Sequence, residues 1–175
     1  PRCFEIRERL EAMLDIPVFH DDQQGTAVVC LAGLTNALKL CGKDMATARI
    51  VVNGAGASGV ASVGLLQSAG AKNIVMCDTA GVIYPGRPGN MNPWKEAAAR
   101  GTRPGGLEGK GLAEAMRGAE VFVGLSKAGQ VSGEMVASMK PGSIVFAMAN
   151  PVPEIMPEVA KANGARVIAT GRYDY

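Results

Sequence analysis

The chain has 175 residues, of which 47% are hydrophobic, and its formal net charge at pH 7 is +2. This length suits one domain, and the apolar content is enough for a buried core, which excludes a disordered chain. The balanced charge gives no reason to expect nucleic acid or a membrane as a partner, and no apolar run is long enough to span a bilayer.

The cysteine pattern bears on metal binding and on location. The four cysteines, at positions 3, 30, 41 and 77, include no C-x-x-C pair, and His20 is the only histidine. Such a set does not provide the ligands of a zinc site. We expect four reduced thiols in a cytoplasmic protein.

The first half of the chain predicts three helices and two strands. Apolar residues at helical spacing predict a helix over 4–14, and a second one runs over 25–40 with Gly42 as its stop. A β-branched run predicts the first strand over 49–53, followed by a helix over 57–69. The second strand is predicted over 74–78, and a loop rich in proline and glycine follows it.

The second half of the chain also alternates between predicted helices and predicted strands. Helices are predicted over 93–100, with Asn92 as N-cap, over 112–117, over 132–139, with Ser132 as N-cap, and over 157–163. Strands are predicted over 120–123, 144–148 and 166–169. Strands alternating with helices indicate an α/β fold, a Rossmann-like doubly wound and mostly parallel sheet with helices on both faces.

A glycine-rich loop joins the first predicted strand to the helix after it. Gly54, Ala55, Gly56, Ala57, Ser58 and Gly59 form a G-x-G-x-x-G sequence in the strand–helix context that dinucleotide sites require. Gly54 permits the tight turn, Gly56 admits the pyrophosphate, and Gly59 lets the helix pack close to the strand. The alternative is a glycine-rich turn without a ligand.

Asp78 lies at the end of the second predicted strand, nineteen residues after Gly59. A carboxylate there can accept hydrogen bonds from the adenine ribose hydroxyls, and it repels the 2′-phosphate of NADP. Thr79 and Ala80 offer no positive charge to offset that repulsion, whereas Arg87 in the next loop could. The sequence therefore favours NAD over NADP.

Two adjacent carboxylates, Asp21 and Asp22, precede the second predicted helix. Successive side chains of a non-helical segment point in roughly opposite directions, so one carboxylate could reach a divalent metal while the other bonds within the protein. The alternative is a pair that caps the helix, because acidic side chains stabilise a helix N-terminus. From spacing alone the capping interpretation is favoured.

Two polar residues are predicted at the carboxyl ends of later strands, where open parallel sheets bind ligands. Asn150 follows the strand over 144–148 and is placed to bond substrate or the nicotinamide ribose, unless it only makes its own turn before Pro151. Ser126 follows the strand over 120–123 and is a second candidate cofactor contact at that rim.

Together these motifs resemble the malic enzymes, especially the bacterial type. The resemblance rests on residues 16–27 (IPVFHDDQQGTA), the glycine loop over 54–59, residues 149–155 (ANPVPEI) and residues 169–175 (ATGRYDY). They occur in the family's order and spacing along essentially the whole chain. Two departures are Gln24, where bacterial relatives commonly have His, and Tyr173, where the family usually has a small Ser that a phenol could crowd.

The resemblance implies oxidation and decarboxylation of malate to pyruvate and CO₂, with NAD or NADP and with Mg²⁺ or Mn²⁺. It implies that Asp22 is a metal ligand, that Asp21 is its catalytic neighbour, and that Asn150 contacts both the nicotinamide side and the substrate. Family members are usually dimers or tetramers, so we expect a homo-oligomer.

The resemblance also implies that further catalytic residues lie outside this chain. We expect residues 1–27 to lead from an N-terminal domain, with the first helix packed on it, and residues 28–175 to form an NAD(P)-binding Rossmann-like domain with a truncated C-terminal part. The chain alone is then expected to bind NAD weakly and to be inactive toward malate. The alternatives are a dinucleotide-binding module without catalysis, or a domain of an amino-acid or folate dehydrogenase.

Overall fold

A computed structural model describes residues 2–175, so only Pro1 of the predicted leading segment lies outside it. It contains seven helices and six strands within that range. The helices are α1 (Arg2–Met13), α2 (Gln24–Cys41), α3 (Ala57–Ser68), α4 (Pro93–Gly101), α5 (Leu112–Met116), α6 (Gly133–Ala137) and α7 (Pro157–Ala162). The strands are β1 (Arg49–Asn53), β2 (Asn73–Asp78), β3 (Gly81–Val82), β4 (Val121–Gly124), β5 (Ser143–Ala147) and β6 (Ala165–Thr170).

The strands form one sheet in the order β3-β2-β1-β4-β5-β6. All neighbouring pairs are parallel except β2 with β3, which is antiparallel. The order reverses between β1 and β4, and at such a switch point the loops after the two strands diverge and leave a crevice. The predicted doubly wound, mostly parallel sheet is confirmed.

Both faces of the sheet are covered, because side chains alternate along each strand. Ile50 and Val52 of β1 face α2, α3 and α4, whereas Val51 faces α5, α6 and α7. The central strands are therefore buried on both sides, which explains their nearly continuous β-branched sequence.

Most predicted elements are present, with ends that differ by a few residues. Gly42 ends α2 in the left-handed conformation at φ 64°, and Asn92 caps α4 through its Oδ1, which accepts a hydrogen bond from the Lys95 N–H at 2.9 Å. The exception is β3, which lies in the segment predicted as a loop. Two residues are too few to give the periodic signal that identifies a strand.

The amino-terminal segment packs on the sheet domain at two places. Phe4 of α1 is buried against Trp94 of α4, and Ala27 and Cys30 of α2 lie in the core. Position 27, the predicted boundary between segment and domain, lies inside α2. The other large apolar side chains of α1 are exposed; they are Ile6, Leu10 and Met13.

All four cysteines are free thiols, two of them buried. Burial raises the pKa of Cys30 and of Cys77 to about 12 in each case. These two thiols are therefore uncharged at neutral pH and serve as small apolar core residues. No helix among residues 2–175 has the length and apolar character needed to cross a membrane.

Candidate functional site

The glycine loop turns sharply from β1 into α3. Gly54 has a φ of +123°, and a Cβ at this position would press on the Leu125 carbonyl group. Its N–H donates to the Cys77 carbonyl at 2.9 Å, which fixes the turn to the end of β2. Glycine is therefore required at position 54 by both conformation and space.

The other two glycines of the loop lie in different surroundings. A Cβ on Gly59 would collide with the Gly54 carbonyl, so this glycine allows α3 to pack against the loop. Gly56 is the N-cap of α3, has an ordinary φ of −86°, and would place a Cβ in open space. The first N–H groups of α3 have no partner within the helix, and the helix dipole favours an anion there.

One cavity of about 250 Å³ lies beside this loop. Its lining brings together three parts of the predicted cofactor site, namely residues 54–56, Asp78 and Ser126. Ala57, Ser58 and Gly59 do not line it and instead form the first turn of α3. The loops that follow β1, β2 and β4 thus meet at one place, as expected at the carboxyl edge of a parallel sheet.

Asp78 does not project freely into that cavity. Its Oδ2 accepts hydrogen bonds from Lys95 Nζ and Arg87 Nη2, both at 2.7 Å, and its Oδ1 accepts one from Arg87 Nη1 at 2.9 Å. Asn90 Nδ2 donates to Oδ2 as well, and the backbone N–H of Ala80 donates to Oδ1. Burial opposes ionisation, but the hydrogen bonds from Arg87 and Lys95 prevail and lower the pKa of the Asp78 carboxyl.

This cluster changes the electrostatics expected from the sequence. Two cations surround one carboxylate, so the cluster has a net charge of one positive unit, and Lys95 is among the cavity-lining residues. Five donors already occupy the two oxygens of Asp78, which leaves little capacity for ribose hydroxyls. Arg87 and Lys95 therefore both offset the repulsion that Asp78 was expected to exert on a 2′-phosphate.

A second cavity, also about 250 Å³, lies at the same edge of the sheet. It is lined by Asp21 of the acidic loop and by Asn150 after β5, together with Thr26, Met148 and Gly171. Asp22 is exposed and is not part of this lining. The structure thus brings Asp21 and Asn150 together although 129 positions separate them in the chain.

The acidic loop does not cap α2. The N-cap residue is Gln23, whose side chain makes no capping hydrogen bond and instead lies 3.1 Å from His20 Nδ1. Within residues 2–175 neither Asp21 nor Asp22 takes part in an ion pair. Both carboxylates therefore remain available to a ligand outside the described chain.

These carboxylates fit a divalent metal only as part of a ligand set. No group of three or more His, Cys, Asp or Glu side chains within the described range could enclose an ion. Mg²⁺ is commonly held by one or two carboxylates together with water and substrate oxygens. The loop can contribute such ligands, but residues 2–175 do not complete a metal site.

Tyr173 and Gln24 are the two positions at which the sequence departs from the family pattern. Tyr173 is 98% exposed and lines neither cavity, so its phenol does not crowd them. The Gln24 side chain stays local, since its Oε1 accepts a hydrogen bond from the His20 N–H at 2.6 Å.

Three residues at the site were not predicted from the sequence to belong to it. Lys95 lies in a helix and reads as an ordinary surface lysine, yet its side chain is mostly buried on Asp78. Glu154 is completely buried and bonds to the loops that carry Ser126 and Asn150. Gly124 ends β4 beneath Glu154, with no space for a Cβ. The sequence signal for Glu154 is its place after Pro151-Val152-Pro153, close to a strand end, and no signal marks Gly124.

Comparison with known proteins agrees with this geometry. Residues 23–172 match the family described as "Malic enzyme, NAD binding domain", a range that begins just after Asp21 and Asp22. The whole chain is 53% identical to the bifunctional malic/malolactic enzyme of Bacillus subtilis, of which it covers 42%, and 52% identical to an NADP-dependent malic enzyme of Rhizobium meliloti, of which it covers 23%. The NAD-dependent malic enzyme of Thermotoga maritima superposes with a TM-score of 0.95 at 44% identity, over all of this chain and 46% of that one.

The chain therefore spans less than half the length of each of these relatives. The relatives include both NAD- and NADP-dependent enzymes. The matches do not favour the alternative of an amino-acid or folate dehydrogenase. With its fold, its glycine loop and its matches in agreement, the chain belongs to the malic enzyme NAD-binding domain family.

Proposed function

We propose that this chain is the dinucleotide-binding part of an oxidoreductase that converts malate into pyruvate and CO₂. The observation that carries the proposal is the pair of cavities at one edge of the sheet. One is lined by the glycine loop, Asp78 and Ser126, and the other by Asp21 and Asn150. In this proposal a dinucleotide binds in the first cavity, and a small hydroxy acid binds near the second and transfers its hydride to the nicotinamide.

In this proposal each group has a distinct role. The N-terminus of α3 binds the pyrophosphate through free N–H groups, and Gly56 lets it approach the backbone. Ser126 contacts the cofactor, and Asn150 hydrogen-bonds the nicotinamide side and the substrate. Asp22 is a metal ligand and Asp21 its catalytic neighbour. When bound, Mg²⁺ or Mn²⁺ would supply a Lewis acid for the oxygen atoms of the substrate.

The proposal covers both nicotinamide cofactors. The sequence favours NAD, because Asp78 is expected to repel a 2′-phosphate. The surplus positive charge that Arg87 and Lys95 place around Asp78 supports acceptance of NADP as well. The predicted cytoplasmic location and homo-oligomeric assembly stay predictions.

The direct test is malate oxidation by the full-length protein, followed through reduced cofactor, pyruvate and CO₂. We expect Mn²⁺-dependent turnover that excess chelator abolishes, and we expect Asp22→Asn to abolish it too. Asp15→Asn, an exposed carboxylate on the preceding segment, is the matched control and should have no effect. Turnover that persists in excess chelator would refute the metal role and favour another class of dehydrogenase.

A second arm uses the 175-residue chain by itself. We expect dinucleotide binding measured by calorimetry, without conversion of malate. Formation of NADH from malate and Mn²⁺ by this chain alone would contradict the proposal that further catalytic residues lie elsewhere. Absence of binding to the full-length protein would refute the dinucleotide site itself.

A further inference from the structure

Glu154 is a buried carboxylate that bonds to two separate loops at the site. Its side chain is completely enclosed. Oε1 accepts a hydrogen bond from the Ser126 N–H, and Oε2 accepts one from the Ala149 N–H, each at 3.0 Å. Ser126 belongs to the loop after β4, and Ala149 to the loop after β5. The carboxylate therefore links two neighbouring strand ends.

The backbone around Glu154 extends this link. The Gly129 N–H donates to the Pro153 carbonyl at 3.2 Å, and the Val131 N–H donates to the Glu154 carbonyl at 3.1 Å. The loop after β4 is thus bonded to the 153–154 segment at three positions, namely Ser126, Gly129 and Val131. No Lys or Arg within residues 2–175 forms an ion pair with Glu154.

A glycine at the end of β4 leaves the space that this carboxylate occupies. Gly124 is the last residue of β4, and a Cβ there would collide with the carboxyl group of Glu154, 2.6 Å from Oε1 and 2.7 Å from Oε2. Ala147, its neighbour across the β4–β5 pair, is completely buried. The absence of a side chain at position 124 is therefore what admits the carboxylate between the two loops.

Each linked loop carries a residue of a different cavity. Ser126 lines the cavity beside the glycine loop, and Asn150, next to Ala149, lines the cavity that contains Asp21. We propose that Glu154 is a positioning residue that fixes the Ser126 and Asn150 loops relative to each other, so that cofactor and substrate are held in register. This inference rests on the proposed function, since it gives those two cavities their ligands.

The chemistry of the carboxylate suggests a nearly isosteric test. A carboxylate accepts at both oxygens, whereas the amide of Glu154→Gln has one acceptor and one donor group. In either orientation the amide presents an NH₂ to one of the two backbone N–H groups, so one bond is lost and a buried donor is left unpaired. The variant therefore releases one loop while the volume of the side chain is kept.

Glu120 provides the matched control. Its Oε2 also accepts a hydrogen bond from a backbone N–H, that of Arg49, at 3.0 Å. It lies just before β4, at the amino end of the strands and away from both cavities. Glu120→Gln can keep this bond through its amide oxygen but loses the ion pairs that Oε1 makes with Lys43 and Lys140, so it should affect stability without affecting the site.

The experiment compares both variants in the full-length protein. Melting temperature, affinity for NADH and NADPH, and kcat and KM for malate with Mn²⁺ are measured for each. We expect Glu154→Gln to lower kcat/KM by roughly 10–100-fold, with a fall in kcat as well as a rise in the KM for cofactor. Glu120→Gln should leave these values within about twofold of the wild type while its melting temperature falls similarly. Equal kinetics in the two variants would overturn the proposal.

Two further measurements keep the test decisive. If Glu154→Gln does not fold, Gly124→Ala displaces the same carboxylate without removing it, and normal kinetics in that variant would overturn the proposal.

Hydrogen exchange tests the link between the loops without depending on malate turnover. We expect faster exchange of the Ser126 amide or of the Ala149 amide in Glu154→Gln, whichever loses its acceptor, and unchanged protection of both would overturn the link between the loops. A wild-type protein that binds no dinucleotide would refute the proposed function separately.

Discussion

Phe4 and Trp94 stack with their ring centroids 5.0 Å apart and their ring planes 20° from parallel. The same tryptophan donates a hydrogen bond from its Nε1 to Glu8 at 3.0 Å. These two contacts join α1 to α4, the helix that also carries Lys95. The amino-terminal helix is thus attached to the cofactor side of the domain, and its expected packing on a further domain stays a prediction.

We predict that Phe4→Ala detaches α1 without unfolding the rest of the domain. The lost burial of a phenyl ring costs up to about 3 kcal/mol, but local opening limits the effect on global stability. Trp94 is the only tryptophan in the chain, so its fluorescence should shift to longer wavelength as it becomes solvated. Ile6→Ala on the same helix is the control, because Ile6 is 54% exposed and should leave the emission unchanged.

Gly54 and Gly56 should respond oppositely to the same substitution. Gly54→Ala places a Cβ against Leu125 in a backbone conformation that L residues avoid, which should cost about 2 kcal/mol or more of unfolding free energy. Gly56→Ala meets open space, so its melting temperature should stay near that of the wild type. Its affinity for dinucleotide should nonetheless fall at least about tenfold, because the methyl group occupies the approach to the pyrophosphate. Wild-type affinity in Gly56→Ala would contradict the assigned site.

Lys95 should control the choice between the two cofactors. Lys95→Gln leaves Asp78 and Arg87 as a neutral pair. The cavity then lacks the surplus positive charge that would attract a 2′-phosphate. We expect affinity for NADPH to fall about tenfold relative to NADH, the equivalent of one charge-assisted hydrogen bond. Lys72→Gln is the control, because Lys72 is exposed just before β2, at the opposite end of that strand. An unchanged ratio of the two affinities would exclude a role for Lys95.

Asp78 should make stability depend on pH in the acid range. Its folded-state pKa lies below the ordinary value of 3.8 that applies to the unfolded chain. Ionised Asp78 therefore stabilises the fold above pH 3.8, and this contribution is lost as the pH falls through the folded-state pKa. Asp78→Asn should flatten the acid limb of the stability curve. It should also cost about 3 kcal/mol at neutral pH, since Arg87 and Lys95 lose their buried counter-ion.

Chemical denaturation across a pH series measures this effect. Asp15→Asn is the matched control, because Asp15 is exposed and should leave the acid limb as in the wild type. Parallel curves for Asp78→Asn and the wild type would contradict the assigned ion pairs. The stability loss also means that altered cofactor binding in an Asp78 variant must be interpreted together with its melting temperature.

The sequence identified the parts of the fold that depend on local pattern. The β-branched run at β1 and the Asn92–Pro93 start of α4 each specify their structure within a few residues. The antiparallel β3 has only two residues and depends on pairing with β2, so no local pattern marks it.

The candidate site was predictable where it depends on strand ends and not where it depends on distant partners. Ser126 and Asn150 were placed correctly at the rim, because parallel strands bring their carboxyl ends to one edge. The pairing of Asp78 with Lys95 spans seventeen positions and a loop, and charge alone does not reveal it. The burial of Glu154 depends on the missing side chain of Gly124, thirty positions away.

The shared carboxylate of Asp78 has a consequence for the evolution of cofactor preference. Arg87, Asn90 and Lys95 all bond to the one carboxylate of Asp78, so the effect of replacing one of them depends on which of the others is present. Substitutions within this set should be strongly non-additive. A lineage that changes its cofactor would therefore alter two or more of these positions together, whereas single changes would mostly be removed by their cost in stability.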